Sequence, residues 1–348
     1  VIMADRKKLK SANGLYLGST GSGKSFAAKR ELINVFLATR DRIIVVDPMG
    51  EYAPLVRRLG GEVIEISPDS PHNINPMDLK LNLAGEDSPL SMKADFLLSL
   101  CELIIGGKEG LQPIEKTVID RCVRLVYREL ALGIGDGKMP LLQDLYESLC
   151  QQPEPEARRI ATALELYCTG SLNMFNHPTN VQTDNRITCI VLKSMGENLR
   201  KIAMHITNEL VTQAVDENFS RSLATWCYYD EFHILLQDAL SASYFVRVWK
   251  MLRKKGCVPS ALTQNVKDLL ASREIENILE NSDFMILLSQ AQGDRAILAK
   301  QLGISEHQLS YIAHSNSGEG LLFFGNTTIP FVDRFPRGEI YNLLTTRP

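Results

Sequence analysis

The chain has 348 residues, 38 of them Lys or Arg and 41 Asp or Glu, for a formal charge of -3. That near balance offers no overall basic field for nucleic acid, and the length favours one large domain with an insertion, or two domains. Seven scattered cysteines with no C-x-x-C pair, and no H-E-x-x-H spacing, argue against a disulfide framework or a zinc site. No apolar run approaches the ~18 residues needed to span a bilayer, and no signal peptide opens the sequence.

The first informative segment is Gly18 to Ser25, GSTGSGKS, a full match to G-x-x-x-x-G-K-[ST]. It follows a short apolar run, Gly14 to Leu17, that reads as a buried strand. Phe26 to Thr39 after it carries helical apolar spacing through Ala28, Leu32, Val35 and Phe36. Strand, glycine loop and helix is the context in which this pattern predicts a nucleoside triphosphate site. The glycines let successive N–H groups converge on one concavity, and the helix adds its positive dipole end. Gly18, Thr20, Gly21, Ser22, Gly23, Lys24, Ser25 and Phe26 are the expected nucleotide-binding residues. Lys24 would reach the outer phosphates and Ser25 would offer a hydroxyl to Mg²⁺.

Arg42 to Asp47 (RIIVVD) reads as a buried parallel strand, and Glu62 to Ile66 as a strand nearer an edge. From about Met77 the pattern changes. Leu97, Leu100, Cys101 and Ile104 share one helical face, ended by Gly106-Gly107. Ile114, Val118, Cys122, Leu125 and Val126 share another in a helix opening at Pro113 and stopping near Gly133. A third helix runs from Glu156 to Cys168. Strand patterning returns with Ile187 to Leu192, so residues 77–185 are expected to form an all-helical lobe inserted into an α/β core of residues 1–76 and 186–348. A long helix (Glu197 to Phe219), a strand (Ala224 to Tyr229) and a helix (Ala239 to Lys255, striped by Leu240, Tyr244, Val248 and Leu252) follow. Further strands are expected at Ser260 to Thr263 and Phe284 to Leu288, then a C-terminal hairpin across Gly325-Asn326. Strands alternating with helices imply a mainly parallel sheet covered on both faces, with chemistry at the carboxyl ends of its strands.

Thr225 to Glu231 is an apolar strand ending in Asp-Glu. Asp230 suits the Mg²⁺ shell and Glu231 the attacking water. Asp47, within Asp47-Pro48-Met49-Gly50-Glu51-Tyr52, also closes a strand; it and Glu51 are secondary candidates, although Pro and Gly there equally suit a turn. Gln264 ends a strand where it can report on the γ-phosphate. Arg253, Lys254 and Gly256 suit an ordinary helix end; an arginine finger reaching a neighbouring subunit's nucleotide is the equal alternative for Arg253.

Taken together, Gly18 to Ser25, Asp47 to Tyr52, Asn75-Pro76, Tyr229 to His233, Arg253-Lys254, Thr263-Gln264 and Gly318 to Leu321 resemble the conjugative type IV secretion ATPases, the VirB-four, TraC and TrbE-like group within the HerA–FtsK class of motors. The resemblance implies a RecA-like P-loop core with a helical insertion, hydrolysis of ATP with Mg²⁺, a homohexamer, and inner-membrane secretion proteins as partners. It also implies a cytoplasmic place at the inner face of the bacterial membrane. Lys24, Ser25, Asp230, Glu231 and Gln264 take the family's nucleotide and catalytic roles by this resemblance, and Arg253 that of a trans-acting finger. Such proteins usually carry a sizeable N-terminal domain, so the sequence is expected to be a C-terminal part. A coupling-type translocase that moves DNA directly is the alternative, with Arg57-Arg58, Arg158-Arg159 and Arg253 to Lys255 as its basic residues. A GTPase is disfavoured because Asn265-Val266-Lys267-Asp268 does not fit the guanine motif. A DExH helicase, hinted at by Asp230 to His233, is disfavoured by the single core and its long helical insertion.

Overall fold

The computed structural model describes residues 2–79, 89–105, 107, 110–134, 137–182, 184–236, 239–264, 266–270, 273–313 and 315–345, without the side chains of 239–241, 268 and 273–275. Gly106, Asn265 and the Leu240 side chain lie outside the described residues.

The core alternates strand and helix. β1 (Gly14–Leu17) leads through the phosphate loop into α1 (Lys24–Ala38), followed by β2 (Arg42–Asp47), α2 (Ala53–Arg58) and β3 (Glu62–Glu65). The described residues between β3 and β4 (Ile187–Val191) hold no strand. They form α3 (Pro89–Ile105), α4 (Pro113–Val126), α5 (Arg128–Ala131), α6 (Leu142–Cys150) and α7 (Pro155–Cys168). Then come α8 (Glu197–Ser220), β5 (Thr225–Tyr229), α9 (Ala239–Lys254), β6 (Cys257–Thr263), α10 (Arg273–Glu280) and β7 (Phe284–Leu287). The chain closes with α11 (Gln292–Leu302), α12 (Glu306–Ala313), β8 (Glu319–Phe324), β9 (Thr327–Val332) and α13 (Glu339–Leu344).

Nine strands make one sheet in the order β3-β4-β2-β5-β6-β1-β7-β8-β9. The first seven are parallel, and β8 and β9 run antiparallel. The inner strands are apolar without alternation and buried along their length, as strands covered on both faces must be. β1 lies between β6 and β7, with Leu17 beside Thr263 and Leu287. Val46 of β2 is level with Tyr229 of β5. The loops after β1, β2, β5 and β6 therefore open on one edge of the sheet.

Leu32 and Val35 of α1, Leu55 and Val56 of α2 and Tyr16, Val45 and Tyr228 of the strands fill one face. The other face packs continuously from the sheet through α8 and α9 into α3, α4, α6 and α7, so the helical segment shares its core with the sheet. The expected single helix from Pro113 toward Gly133 is two, α4 and α5, parted at Tyr127. The Tyr127 ring is fully buried and its hydroxyl donates to the Met77 carbonyl, which fixes the chain at the break.

Candidate nucleotide site

The loop after β1 is shaped by its glycines. Gly21 and Gly23 have φ of 77° and 102°, the left-handed region open to glycine at little cost. A side chain on Gly18 would come within 2.4 Å of Ser22 Oγ. Lys24 opens α1, where the first amides have no partner within the helix. Its ammonium donates to the Gly18 carbonyl at 2.9 Å, turned back over the loop. Burial lowers the Lys24 pKa, and the charges of Asp230, Glu231 and Glu51 oppose that shift. The charges of all three carboxylates thus act on the loop lysine.

Asp230 lies one residue past β5, and its amide donates to the Val46 carbonyl at 3.0 Å. The side chain is buried, and its carboxyl is pushed up to about 8 by burial and then by the charges of Glu231, Asp47 and Glu51. Glu231 takes a left-handed backbone, φ 47°, uncommon for a non-glycine residue and a form of strain that clusters at functional sites. Its amide donates to Asp230 Oδ1 at 3.0 Å, and its Oε2 stands 3.2 Å from His233 Nδ1. From β6, Gln264 accepts the Thr20 hydroxyl at 2.5 Å. Lys24, Asp230, Glu231 and Gln264 are therefore gathered at one edge, with Ser25 beside Lys24 in the first turn of α1.

Asp47 is organised differently. Its Oδ1 accepts the amides of Gly50 (2.7 Å) and Glu51 (3.0 Å), and its Oδ2 that of Tyr52 (2.8 Å). Both oxygens accept amides of the turn that Pro48 and Gly50 invite, the alternative reading of these residues. What the turn presents to the site is Glu51, whose buried Oε2 has no hydrogen-bond partner among the described residues. Lys29, one turn beyond the loop, was not a sequence candidate. It is 1% exposed, its ammonium is 5.2 Å from the Tyr52 ring centre, and the charges of Glu51, Asp47 and Asp230 oppose the lowering of its pKa by burial. A lysine on the apolar stripe of α1 was the available signal.

Arg253 does not join this group. It ends α9 before β6, at the amino end of the strands, with its guanidinium 3.5 Å from the Ser11 hydroxyl. Lys254 is exposed on the same end.

The oxygen donors Ser25 and Asp230 fit a hard divalent cation, and among the described residues no three His, Cys, Asp or Glu side chains form a metal cage. Mg²⁺ is commonly held by one or two protein oxygens together with substrate phosphates, so the donor set suits Mg²⁺ arriving with a triphosphate.

A family model, "Helicase HerA, central domain", matches residues 13–129. A solved structure of VirB4 from Thermoanaerobacter pseudethanolicus superimposes with a TM-score of 0.82 at 22% identity, covering 99% of this chain and 93% of that one. The fold is that of VirB4. The bacterial conjugative coupling protein TrwB, without its first seventy residues, matches with a TM-score of 0.63 at 13% identity, over 93% of this chain and 86% of its own. TrwB in complex with ADP and Mg²⁺ matches to a similar extent, TM-score 0.63 at 14% identity, over 93% and 86% of the two chains. No curated protein sequence matches the chain. The mainly parallel α/β fold expected from the sequence is the observed one, and it is shared with the solved VirB4 and TrwB structures.

Proposed function

We propose that the chain is the ATP-hydrolysing motor of a type IV secretion or conjugation apparatus. The observation that carries this is the convergence of Lys24, Asp230, Glu231 and the Thr20–Gln264 pair at one sheet edge in a fold shared with VirB4. Lys24 would exchange the Gly18 carbonyl for the β- and γ-phosphate oxygens, and the α1 amides would receive the phosphate charge. Ser25 and Asp230 would hold Mg²⁺, which neutralises charge between the outer phosphates. Glu231 would accept the proton of the attacking water. Gln264, already bonded to the phosphate loop, would sense the γ-phosphate.

The same reading includes a homohexamer, with Arg253 completing a neighbour's site, and inner-membrane secretion proteins as partners at the cytoplasmic face. It also treats residues 77–185 as a helical lobe set within the core. Among the described residues no helix is long and apolar enough to cross a membrane, so attachment there would run through partner proteins or through chain outside the described residues. The test is Lys24→Ala: it should abolish triphosphate binding and turnover while the fold persists, and near wild-type turnover would overturn the reading.

A second reading, a coupling-type translocase acting on DNA, draws on the likeness to TrwB and to the HerA central domain. Hydrolysis measured with and without DNA separates the two, since stimulation and salt-dependent binding are expected only where phosphates are gripped directly.

A further inference from the structure

The last residues of the chain return to the phosphate loop. Gly318 donates its amide to the Ser22 carbonyl at 3.2 Å, and Asp333 donates its own to the Gly318 carbonyl at 2.8 Å. Asp333 also pairs with Arg30 of α1. From that anchor the chain lays two rings against Phe26, the residue after Ser25. Phe335 lies at 6.0 Å between centroids, nearly edge-on at 77°, and Tyr341 at 5.6 Å and 56°. The Arg30 guanidinium covers Phe335 at 5.5 Å. Phe26, Phe335 and Tyr341 are all half-buried.

Direction along the phosphates gives this cluster its meaning. On the nucleotide-binding reading, Lys24 would reach the outer phosphates and the loop amides would hold the inner ones. The carboxylates would then mark the γ end, and the nucleoside would leave past Ser25, toward Phe26.

We propose that Phe26, Phe335 and Tyr341 form the seat on which the nucleotide base stacks. This rests on the nucleotide-binding reading above and adds to it the residues that take the base. Aromatic stacking accepts any base, because every base has a π-face. The seat therefore favours nucleotides over bare phosphates without choosing strongly between adenine and guanine. The rival role for the cluster is to pin α13 onto α1 and α2, where Arg58 also bonds Glu339 at 2.8 Å.

The experiment is calorimetric titration of the whole chain, with Mg²⁺, by ATP, GTP and inorganic tripolyphosphate. Phe335→Ala and Tyr341→Ala should each weaken ATP and GTP together by about tenfold and leave tripolyphosphate within about twofold. Phe335→Leu and Tyr341→Leu keep apolar volume for α13 to pack on and should lose the same nucleotide preference; they carry the test if the alanine forms do not fold. Tyr341→Phe should behave as wild type. ATP and tripolyphosphate weakening in parallel, or neither weakening, would overturn the seat. A wild-type chain that binds neither ligand would instead overturn the nucleotide reading beneath it.

Discussion

The Thr20 hydroxyl donates to Gln264 Oε1 at 2.5 Å. One residue belongs to the phosphate loop and the other directly follows β6, the strand beside β1, so a change at the γ-phosphate would have a direct route into β6. Gln264→Ala should slow hydrolysis tenfold or more, the order expected for a lost positioning group, with ATP affinity little changed. Thr20→Val should show part of that loss. Steady-state rates beside equilibrium titration check both, and an affinity loss equal to the rate loss would make Gln264 a binding residue only.

Glu231→Gln is expected to keep ATP and Mg²⁺ and to hydrolyse at least ~10²-fold more slowly. The comparison variant is Asp47→Asn, whose parent carboxylate holds three backbone amides. Its defect should appear as a lower melting temperature. Normal turnover in Glu231→Gln, with the rate lost in Glu51→Gln, would move the base to Glu51.

The buried carboxyl of Asp230 titrates at about 8, above the ordinary value, so the folded empty chain holds a proton that the unfolded chain releases near pH 4. Its contribution to stability is full below pH 4 and is lost as pH rises toward 8. The chain without nucleotide should thus melt earlier as pH rises through that window, and Asp230→Asn should flatten the slope. Mg²⁺ has the opposite dependence: it must displace that proton, so its apparent affinity should climb up to about pH 8 and then level. Melting curves and Mg²⁺ titrations across pH 5–9 read both signs.

Arg253 stands at the amino end of the strands, away from its own loop. A catalytic role for it therefore requires a neighbouring subunit. Inactive Lys24→Ala chains mixed with inactive Arg253→Ala chains should recover some hydrolysis at mixed interfaces. No recovery in verified mixed rings leaves Arg253 as a helix-end charge.

Lys93 of α3 is 2% exposed, and its ammonium bonds Glu209 of α8 at 2.7 Å and the Pro76 carbonyl at 3.1 Å. The Tyr244 hydroxyl of α9 completes the group on Glu209 at 2.8 Å. Glu209→Ala would strand a buried ammonium, at a cost of about 3–5 kcal/mol, and should lower the melting midpoint by roughly 4–7 °C. Lys93→Met with Glu209→Leu should be milder than Glu209→Ala alone.

Much of this was legible in the sequence because it is local. The phosphate loop, the Asp230-Glu231 strand end and the hairpin at Gly325-Asn326 are each fixed by adjacent residues and their periodicity. Helices α2, α6, α10, α11, α12 and α13 are short or lie within mixed patterns, and local periodicity does not announce them. The commitment of Asp47 depends on three amides that only the folded turn brings together. Lys93 and Glu209 are far apart in sequence, and nothing near either one announces the other. The same holds for Phe26 and Phe335.

β1 is made well before its partners β6 and β7, with Gly14 beside Ser260 and Phe284. A ribosome adding about 5–20 residues per second needs on the order of tens of seconds to supply them. Throughout that interval the emerging polypeptide carries every letter of GSTGSGKS without a strand on either side to hold it. Contacts spanning most of a chain also form slowly. The loop's rear support is later still, since Gly318 must close on Ser22. Nascent chains halted before β6 should therefore ignore ATP, and competence should arrive late and in one step, as the final strands settle.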